Sequence, residues 1–446
     1  MNTASSDLYP LNFLFVSCDR DTYLLKSLGW SVFIGSPSIA KEVLYKSDVF
    51  YKPKFIDSYM SINFKRFLGF SQVVQNNGDE WKRHRKVINP IFNQTWSTEL
   101  FGNFAQDLID EWGKVEGKEV KVQDKVQRLT LDVFSKAIFD IDFKSIKNED
   151  SKLFNLYHKV SKQIIDYPVY IIMPFLEYLP FTRRPELAKK LGEYHEFIED
   201  MIENKKIDLK KGKLSKKGDL ISAFIESNEN SKDQKLTMEE IRDNLNIFIF
   251  AGHDTTSNTL TSTLYYLARY PEIQDKLRAQ VLAAMGSPKQ VTIPTVEQLK
   301  KIPLMDMVSK ESMRMMTTVN TTERVSKSHH TFSNGLSVPK DTPIFVHMCG
   351  VHYNPSAFSN PFEFNPERFS DISSEESKNW LAFGLGNRTC LGFTFSLMEQ
   401  RVTLAMLLQK FEFSINKENP DYKQLRVTSS FISRPQDLAI TIKARV

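Results

Sequence analysis

Cysteine is scarce: Cys18, Cys349 and Cys390 are the only three in 446 residues. Three cannot all pair, and their spacing matches neither a disulfide framework nor a zinc site. The pattern fits a reducing compartment and leaves a cysteine available as ligand or nucleophile. Long apolar runs are missing too. No stretch reaches the roughly 18 residues a transmembrane helix needs. The mostly apolar segment 11–18 is too short to span a bilayer and has no basic region before it, so it does not read as a signal peptide. A dense basic stripe is absent, since a net charge of +5 is spread over the whole length, and this argues against nucleic acid. The mild excess is compatible with docking an acidic protein or an anionic membrane surface. There are no repeats, low-complexity tracts or linkers, so the chain reads as a single domain, 1–446, although its length would allow two or three.

What is present is apolar and aromatic. Hydrophobic residues make up 41%, with 33 Phe, 15 Tyr and 5 Trp, enough to fill a large core and line an apolar cavity as well. Ser31–Ile34 reads as a strand and Ser38–Lys46 as a helix. Residues 48–78 show weak periodicity and read as a long loop with short helices. Helical periodicity is expected over 81–89, until Pro90 disturbs it, then over 96–112, 122–139, 152–168 and 185–207. The run 205–217 carries seven lysines and reads as a solvated loop. Thr237-x-x-Glu240 has the capping-box form and opens a helix that should continue to Tyr270, where Pro271 starts the next. Such a helix would be roughly 50 Å long, and its all-round apolar middle, 247–250, should be buried. Short strands with turn signals follow from Thr331, then a helix over 392–411 and a terminal hairpin. Helix dominates, with a minor sheet at each end.

One loop carries the clearest chemistry. Phe383-Gly384-Leu385-Gly386-Asn387-Arg388-Thr389-Cys390-Leu391-Gly392 delivers a cysteine to the start of a helix. A helix amino terminus favours negative charge, so Cys390 is expected to favour thiolate. Glycines let backbone approach a flat ligand closely, and Arg388 brings a cation to the same area. In the long helix, Ala251-Gly252-His253-Asp254-Thr255-Thr256 places an acid beside an alcohol. Thr255 can return its hydroxyl to the carbonyl of residue 251, and Gly252 leaves space for a ligand. Glu311 and Arg314 lie three apart on one helical face and can pair. Pro366-Glu367-Arg368-Phe369 follows, and Trp81-x-x-x-Arg85 puts an indole and a guanidinium one turn apart.

Together these motifs resemble the cytochrome P-450 monooxygenases along nearly the whole chain. The cysteine loop matches all five fixed positions of that family's Phe-x-x-Gly-x-Arg-x-Cys-x-Gly pattern, a chance event on the order of one in ten thousand at average residue usage. The resemblance implies a mainly α fold with a minor β-sheet region, and haem b (iron protoporphyrin IX) between the long central helix and the cysteine-loop helix. It makes Cys390 the iron ligand, with Phe383, Gly386, Arg388 and Gly392 shaping its loop and Ala251 and Gly252 beside the haem. Thr255 and Asp254 would deliver protons during oxygen activation. Trp81, Arg85, Arg388 and Arg324 would hold the haem propionates, and His84 would be a surface or supporting histidine, not an axial ligand. Glu311, Arg314 and Arg368 would form a buried structural triad.

The resemblance further implies hydroxylation of an apolar small molecule with O2, by a monomer, with electrons from NADPH through NADPH–cytochrome P-450 reductase. Arg388, Lys378 and Lys410 are candidates for the docking face. The expected location is the cytoplasmic face of the endoplasmic reticulum membrane. Membrane-bound members carry an amino-terminal anchor helix, whereas this sequence begins close to the first strands. Pocket residues should come from 51–75, 164–197, 245–256, 317–322 and the hairpin at Phe431. Two departures stand out. No proline follows Arg314 over 315–322, which affects the pocket wall, and His352-Tyr353-Asn354-Pro355 stands where relatives often have His-Arg-Asp-Pro. A relative that does not insert oxygen (phenol coupling, isomerase or dehydratase) and a haem-binding sensor are the other readings. The Asp254–Thr255 pair favours the monooxygenase.

Overall fold

The computed structural model describes residues 14–445 apart from 20–21, 27–29, 55–60, 166, 168, 171–172, 180–181, 213–217, 231–234, 288–289 and 429–431. Phe431 and the lysines at 213, 216 and 217 therefore lie outside the described residues. The chain is mainly helical with small sheets, as its patterning implies. It forms two compact units, each assembled from separate stretches of sequence.

One unit gathers residues 1–53, 310–390 and 427–434. Its spine is a six-stranded sheet in the order Leu14–Asp19, Thr22–Lys26, Trp30–Ile34, Pro343–His347, Thr321–Ser326 and Phe50–Tyr51. Val32 lies opposite Ile344 in the one parallel pairing, and the other pairings are antiparallel. Val32, Ile34, Ile344 and Val346 are all buried, the alternate residues of a half-buried strand. Pro37, pre-set for a first helical turn, opens the helix Pro37–Tyr45, which buries Ile39, Ala40, Val43 and Leu44. This unit also holds the Cys390 loop.

The other unit gathers residues 54–309, 391–426 and 435–446. Its axis is the helix Met238–Arg269. Both halves of the capping box form: the Glu240 amide donates to Thr237 Oγ1 at 3.1 Å, and the Thr237 amide to Glu240 Oε2 at 2.8 Å. Pro271 opens the next helix, as its position predicts. The helix Val122–Phe139 packs along the central helix. The terminal strands Phe411–Ser414 and Ala439–Ala444 pair antiparallel, and Glu119–Lys121 joins them as a third strand.

Two expectations need correction, and a third is met. The helix Gly78–Phe92 runs through Pro90, because a proline in a last turn forfeits a single backbone bond. The lysine run is helical to Lys210, and Lys205 pairs with the buried Asp219 carboxylate at 2.8 Å instead of standing in solvent. Within 48–78 a short helix forms at Ile62–Leu68, as expected, and the turn after it is fastened to the central helix. Asp243 accepts the amides of Phe70 and Ser71 at 2.7 and 3.1 Å, Asn244 accepts that of Val73 at 3.1 Å, and Asn246 donates to the Phe67 carbonyl. Gly69 sits at φ +85°, and a Cβ there would meet the Asp243 side chain at 2.6 Å.

Candidate active site

The central helix is buried almost all round. From Asp243 to Ala268 every residue is buried except Ala251, Gly252 and Thr255. Those three lie at i, i+1 and i+4, on one face, so the helix presents one accessible stripe. Thr255 Oγ1 donates to the Ala251 carbonyl at 2.8 Å, the return bond its spacing predicts.

Asp254 points elsewhere. It is 1% exposed, and its carboxylate accepts the Tyr157 hydroxyl at 2.8 Å and Gln127 Nε2 at 3.5 Å. His253 Nε2 stands 3.5 Å from the same carboxylate, and the His253 ring meets Tyr157 edge-on at 4.7 Å. The acid and the alcohol are thus neighbours in sequence on different sides of the helix. Gly252 also has a packing role. A Cβ there would come within 2.2 Å of the Phe134 ring, so the fold needs glycine for the approach of the helix Val122–Phe139.

Trp81 and Arg85 come together as expected, with the Arg85 guanidinium 5.5 Å from the centre of the Trp81 ring. Their helix is held by His84, which is fully buried and not at the surface. Asn244 Nδ2 donates to His84 Nδ1 at 2.9 Å, while His84 Nε2 lies 3.3 Å from both Asn76 and Glu240. Glu240 also takes a salt bridge from Arg83. Burial lowers the His84 pKa against the pull of Asn244 and Glu240.

In the first unit, Cys390 is exposed, and its amide donates to the Phe383 carbonyl at 2.9 Å. The following helix begins at Phe393 with Gly392 as its cap, so Cys390 lies in the approach to that helix and not within its first turn. Gly384 and Gly386 adopt φ of +69° and +70°. A Cβ on Gly386 would meet the Leu44 carbonyl at 2.8 Å, so a glycine is needed there on both counts.

Glu311, Arg314 and Arg368 form the expected cluster. Arg314 binds Glu311 through a fork at 2.7 and 2.9 Å, and Arg368 Nε reaches Glu311 Oε1 at 3.1 Å. Glu311 and Arg314 are completely buried.

Arg324 is 2% exposed in the strand Thr321–Ser326 and donates to Thr322 Oγ1 at 3.0 Å and to the Glu323 carbonyl at 2.8 Å. Its Nε is buried with no hydrogen-bond partner among the described residues, and burial lowers its pKa to about 10. A cation that the motifs do not mark joins it: Lys52 donates to Thr322 Oγ1 at 2.8 Å. Burial, then the charges of Arg324 and Arg388, push the Lys52 pKa well down, and Glu323 opposes them. A lysine outside any motif gives no sequence signal of this kind. Three cations and an orphaned guanidinium N–H fit a ligand bearing carboxylates, and the exposed Cys390 sulfur in the same unit fits a soft metal. These residues match haem b and its propionates.

The comparisons agree. The family model described as Cytochrome P450 matches residues 29–441. Cytochrome P450 3A11 of Mus musculus is 30% identical over 359 residues, covering 76% of this chain and 69% of that protein. The 11-oxo-beta-amyrin 30-oxidase of Glycyrrhiza uralensis is 29% identical over 450 residues, covering 95% and 82%. The solved cytochrome P450DA heme domain superposes with a TM-score of 0.79 at 21% identity, covering 95% of this chain and 90% of that one. With the model spanning nearly the whole sequence, the chain belongs to the cytochrome P450 family of haem-b monooxygenases.

Proposed function

We propose that the chain, acting as a single haem domain over 1–446, hydroxylates an apolar small molecule with O2 and with electrons from NADPH through a flavin-containing reductase. Cys390 is the thiolate ligand in this reading. Arg324, Arg388 and Lys52 would hold haem propionates, and the family resemblance gives Trp81 and Arg85 the same role. Bound haem supplies the iron and redox chemistry that activate dioxygen. The protein's part is to steer protons and exclude bulk water. Thr255 offers a hydroxyl on the accessible stripe, and Asp254 stores a proton site behind it, steadied by Tyr157.

The observation that carries this reading is the stripe itself. The only residues between Asp243 and Ala268 left accessible are three that the oxygen-activation motif names, Ala251, Gly252 and Thr255. A sensor or carrier of haem has no need of a hydroxyl and an acid at that position. The relatives are named for cytokinin, 11-oxo-beta-amyrin and secologanin, which define no single substrate for this chain. Among the described residues no helix is long and apolar enough to cross a membrane. Phe175 and Tyr178, 58% and 76% exposed on the turn Pro174–Tyr178, support contact with the cytoplasmic face of the endoplasmic reticulum membrane.

The test is the absorption spectrum of the purified protein, reduced and exposed to carbon monoxide. A Soret band displaced to long wavelength is expected from thiolate ligation. A haem spectrum without that displacement would remove Cys390 as the ligand and the monooxygenase reading with it.

A further inference from the structure

Trp380 and Leu381 lead into the loop that carries Cys390, and both are pinned. The Trp380 indole donates to the Lys310 carbonyl at 3.1 Å, and the Leu381 amide donates to His352 Nε2 at 2.9 Å. An N–H donor makes Nε2 the acceptor. The ring proton of neutral His352 therefore sits on Nδ1, which donates to Thr317 Oγ1 at 2.7 Å. The Thr317 hydroxyl donates in turn to the Arg314 carbonyl at 3.1 Å, and Arg314 Nη1 returns to the His352 carbonyl at 2.9 Å. This closed circuit is buried, with His352 at 0% and Thr317 at 3% exposure. Burial, then Arg314 and His347, hold the His352 pKa at about 3, so the ring stays neutral.

Order passes onward from Leu381. Its carbonyl accepts the Gly384 amide at 2.8 Å, and the Phe383 carbonyl accepts the Cys390 amide at 2.9 Å. A short relay of hydrogen bonds therefore runs from the imidazole to the backbone of the cysteine. The Glu311–Arg314–Arg368 cluster has no direct bond to the described residues 381–390, and the bond from His352 to Leu381 supplies one.

We propose that His352 is a positioning residue for the thiolate: its neutral, Nδ1-protonated ring joins the Glu311–Arg314–Arg368 cluster to the Leu381–Cys390 loop and fixes where Cys390 stands. The proposal rests on the reading of Cys390 as iron ligand. It assigns the ring two separate duties, an acceptor for Leu381 and a donor for Thr317, and these can be separated chemically. The glutamine Oε1 occupies about the place of Nε2, whereas asparagine reaches only the place of Nδ1.

The experiment compares reduced, carbon monoxide-treated His352→Gln and His352→Asn with wild type, all loaded with haem. His352→Gln is expected to keep the long-wavelength Soret band. His352→Asn is expected to convert to the neutral-ligand band roughly tenfold faster, as loss of a partner that orients a ligand should cause. If His352→Asn holds the band as wild type does, or glutamine is no better than asparagine, the proposal is overturned. A wild-type protein that never shows the band overturns the Cys390 assignment, a different failure, and the proposal falls with it. Should both variants fail to fold, Thr317→Val decides. Faster amide exchange confined to a peptide spanning 380–384 is expected, and unchanged exchange there sinks the idea.

Discussion

Tyr157 donates its hydroxyl to the Asp254 carboxylate at 2.8 Å, with both side chains sealed from solvent. A hydrogen bond to a buried charged group contributes about 1.5–3 kcal/mol. Tyr157→Phe should lower stability by that order, read as a shift in the urea midpoint. Adding Asp254→Asn should recover part of it, because the amide is cheaper to leave unpartnered than the charge. If the two losses simply add, the two groups do not act on one another. In the proposed mechanism Tyr157→Phe should also reduce product formed per NADPH while leaving the carbon monoxide spectrum unchanged.

Thr255→Ala removes the hydroxyl that faces the accessible stripe and returns to Ala251. Alanine is a better helix former than threonine, so little stability should be lost. The change expected is in coupling: product per NADPH falls several-fold and peroxide release rises, while Thr255→Ser stays near wild type. Unchanged coupling in the alanine variant would remove the proton-delivery role given to Thr255.

Where local chemistry decides the structure, the sequence is readable. The Thr237–Glu240 box, Pro271 at a first helical turn and the periodicity over 122–139 are all short-range signals, and each element forms where its signal lies. The cysteine loop and the Glu311–Arg314–Arg368 cluster are legible because their motifs are dense and strongly patterned. What is not legible depends on partners far apart in the chain. Asp243, Asn244 and Asn246 look like polar residues tolerated in a helix until the turn 67–73 is seen hydrogen-bonded to them. His84 reads as a surface or supporting histidine until Asn76, Glu240 and Asn244 are seen around it, and nothing in the sequence marks the partners of His352. Lys52 becomes a half-buried cation of interest only when its bond to Thr322 and the charges of Arg324 and Arg388 are seen.

Gly252 is a test of packing. An alanine in a helix interior normally gains about 1 kcal/mol over glycine. Here the added carbon would lie 2.2 Å from Phe134, itself 2% exposed and packed edge-on against Phe139 and Phe395 at 5.5 and 5.9 Å. Overpacking of a filled core costs about 1–3 kcal/mol, so the sign should reverse and Gly252→Ala should destabilise. Phe134→Leu in the same chain should relieve it. If Gly252→Ala raises the melting temperature, the space on that side is not limited by Phe134.

Glu311 faces two guanidinium groups and accepts the Asn365 amide at 2.8 Å as well. Removing its carboxylate leaves buried positive charge without its partner, at a cost of about 3–5 kcal/mol. Glu311→Ala should therefore yield little haem-loaded protein and a strongly lowered urea midpoint. Arg368→Lys keeps the charge but loses the fork that also reaches Glu376 at 3.1 Å, so a smaller loss is expected. Equal losses from the two variants would argue against the carboxylate as the centre of the cluster.

The buried histidines set an acid limit on the fold. His352 is held near pKa 3, and His347 and His195 near 4, in each case first by burial. An unfolded chain binds a proton at each ring near pH 6.5. Below that pH the unfolded state holds more protons than the folded one, so stability must fall as pH drops. The stabilisation is complete above about pH 6.5 and is lost progressively towards pH 3–4, where the folded rings protonate too. For fully buried His352 the lost stability is on the order of 5 kcal/mol. Urea midpoints should therefore decline steadily between pH 7 and pH 4.5, and His352→Gln should show a shallower decline by about one proton's worth. A slope identical to wild type would mean that His352 is already charged in the folded protein. That state is incompatible with the hydrogen bond its Nε2 accepts from Leu381.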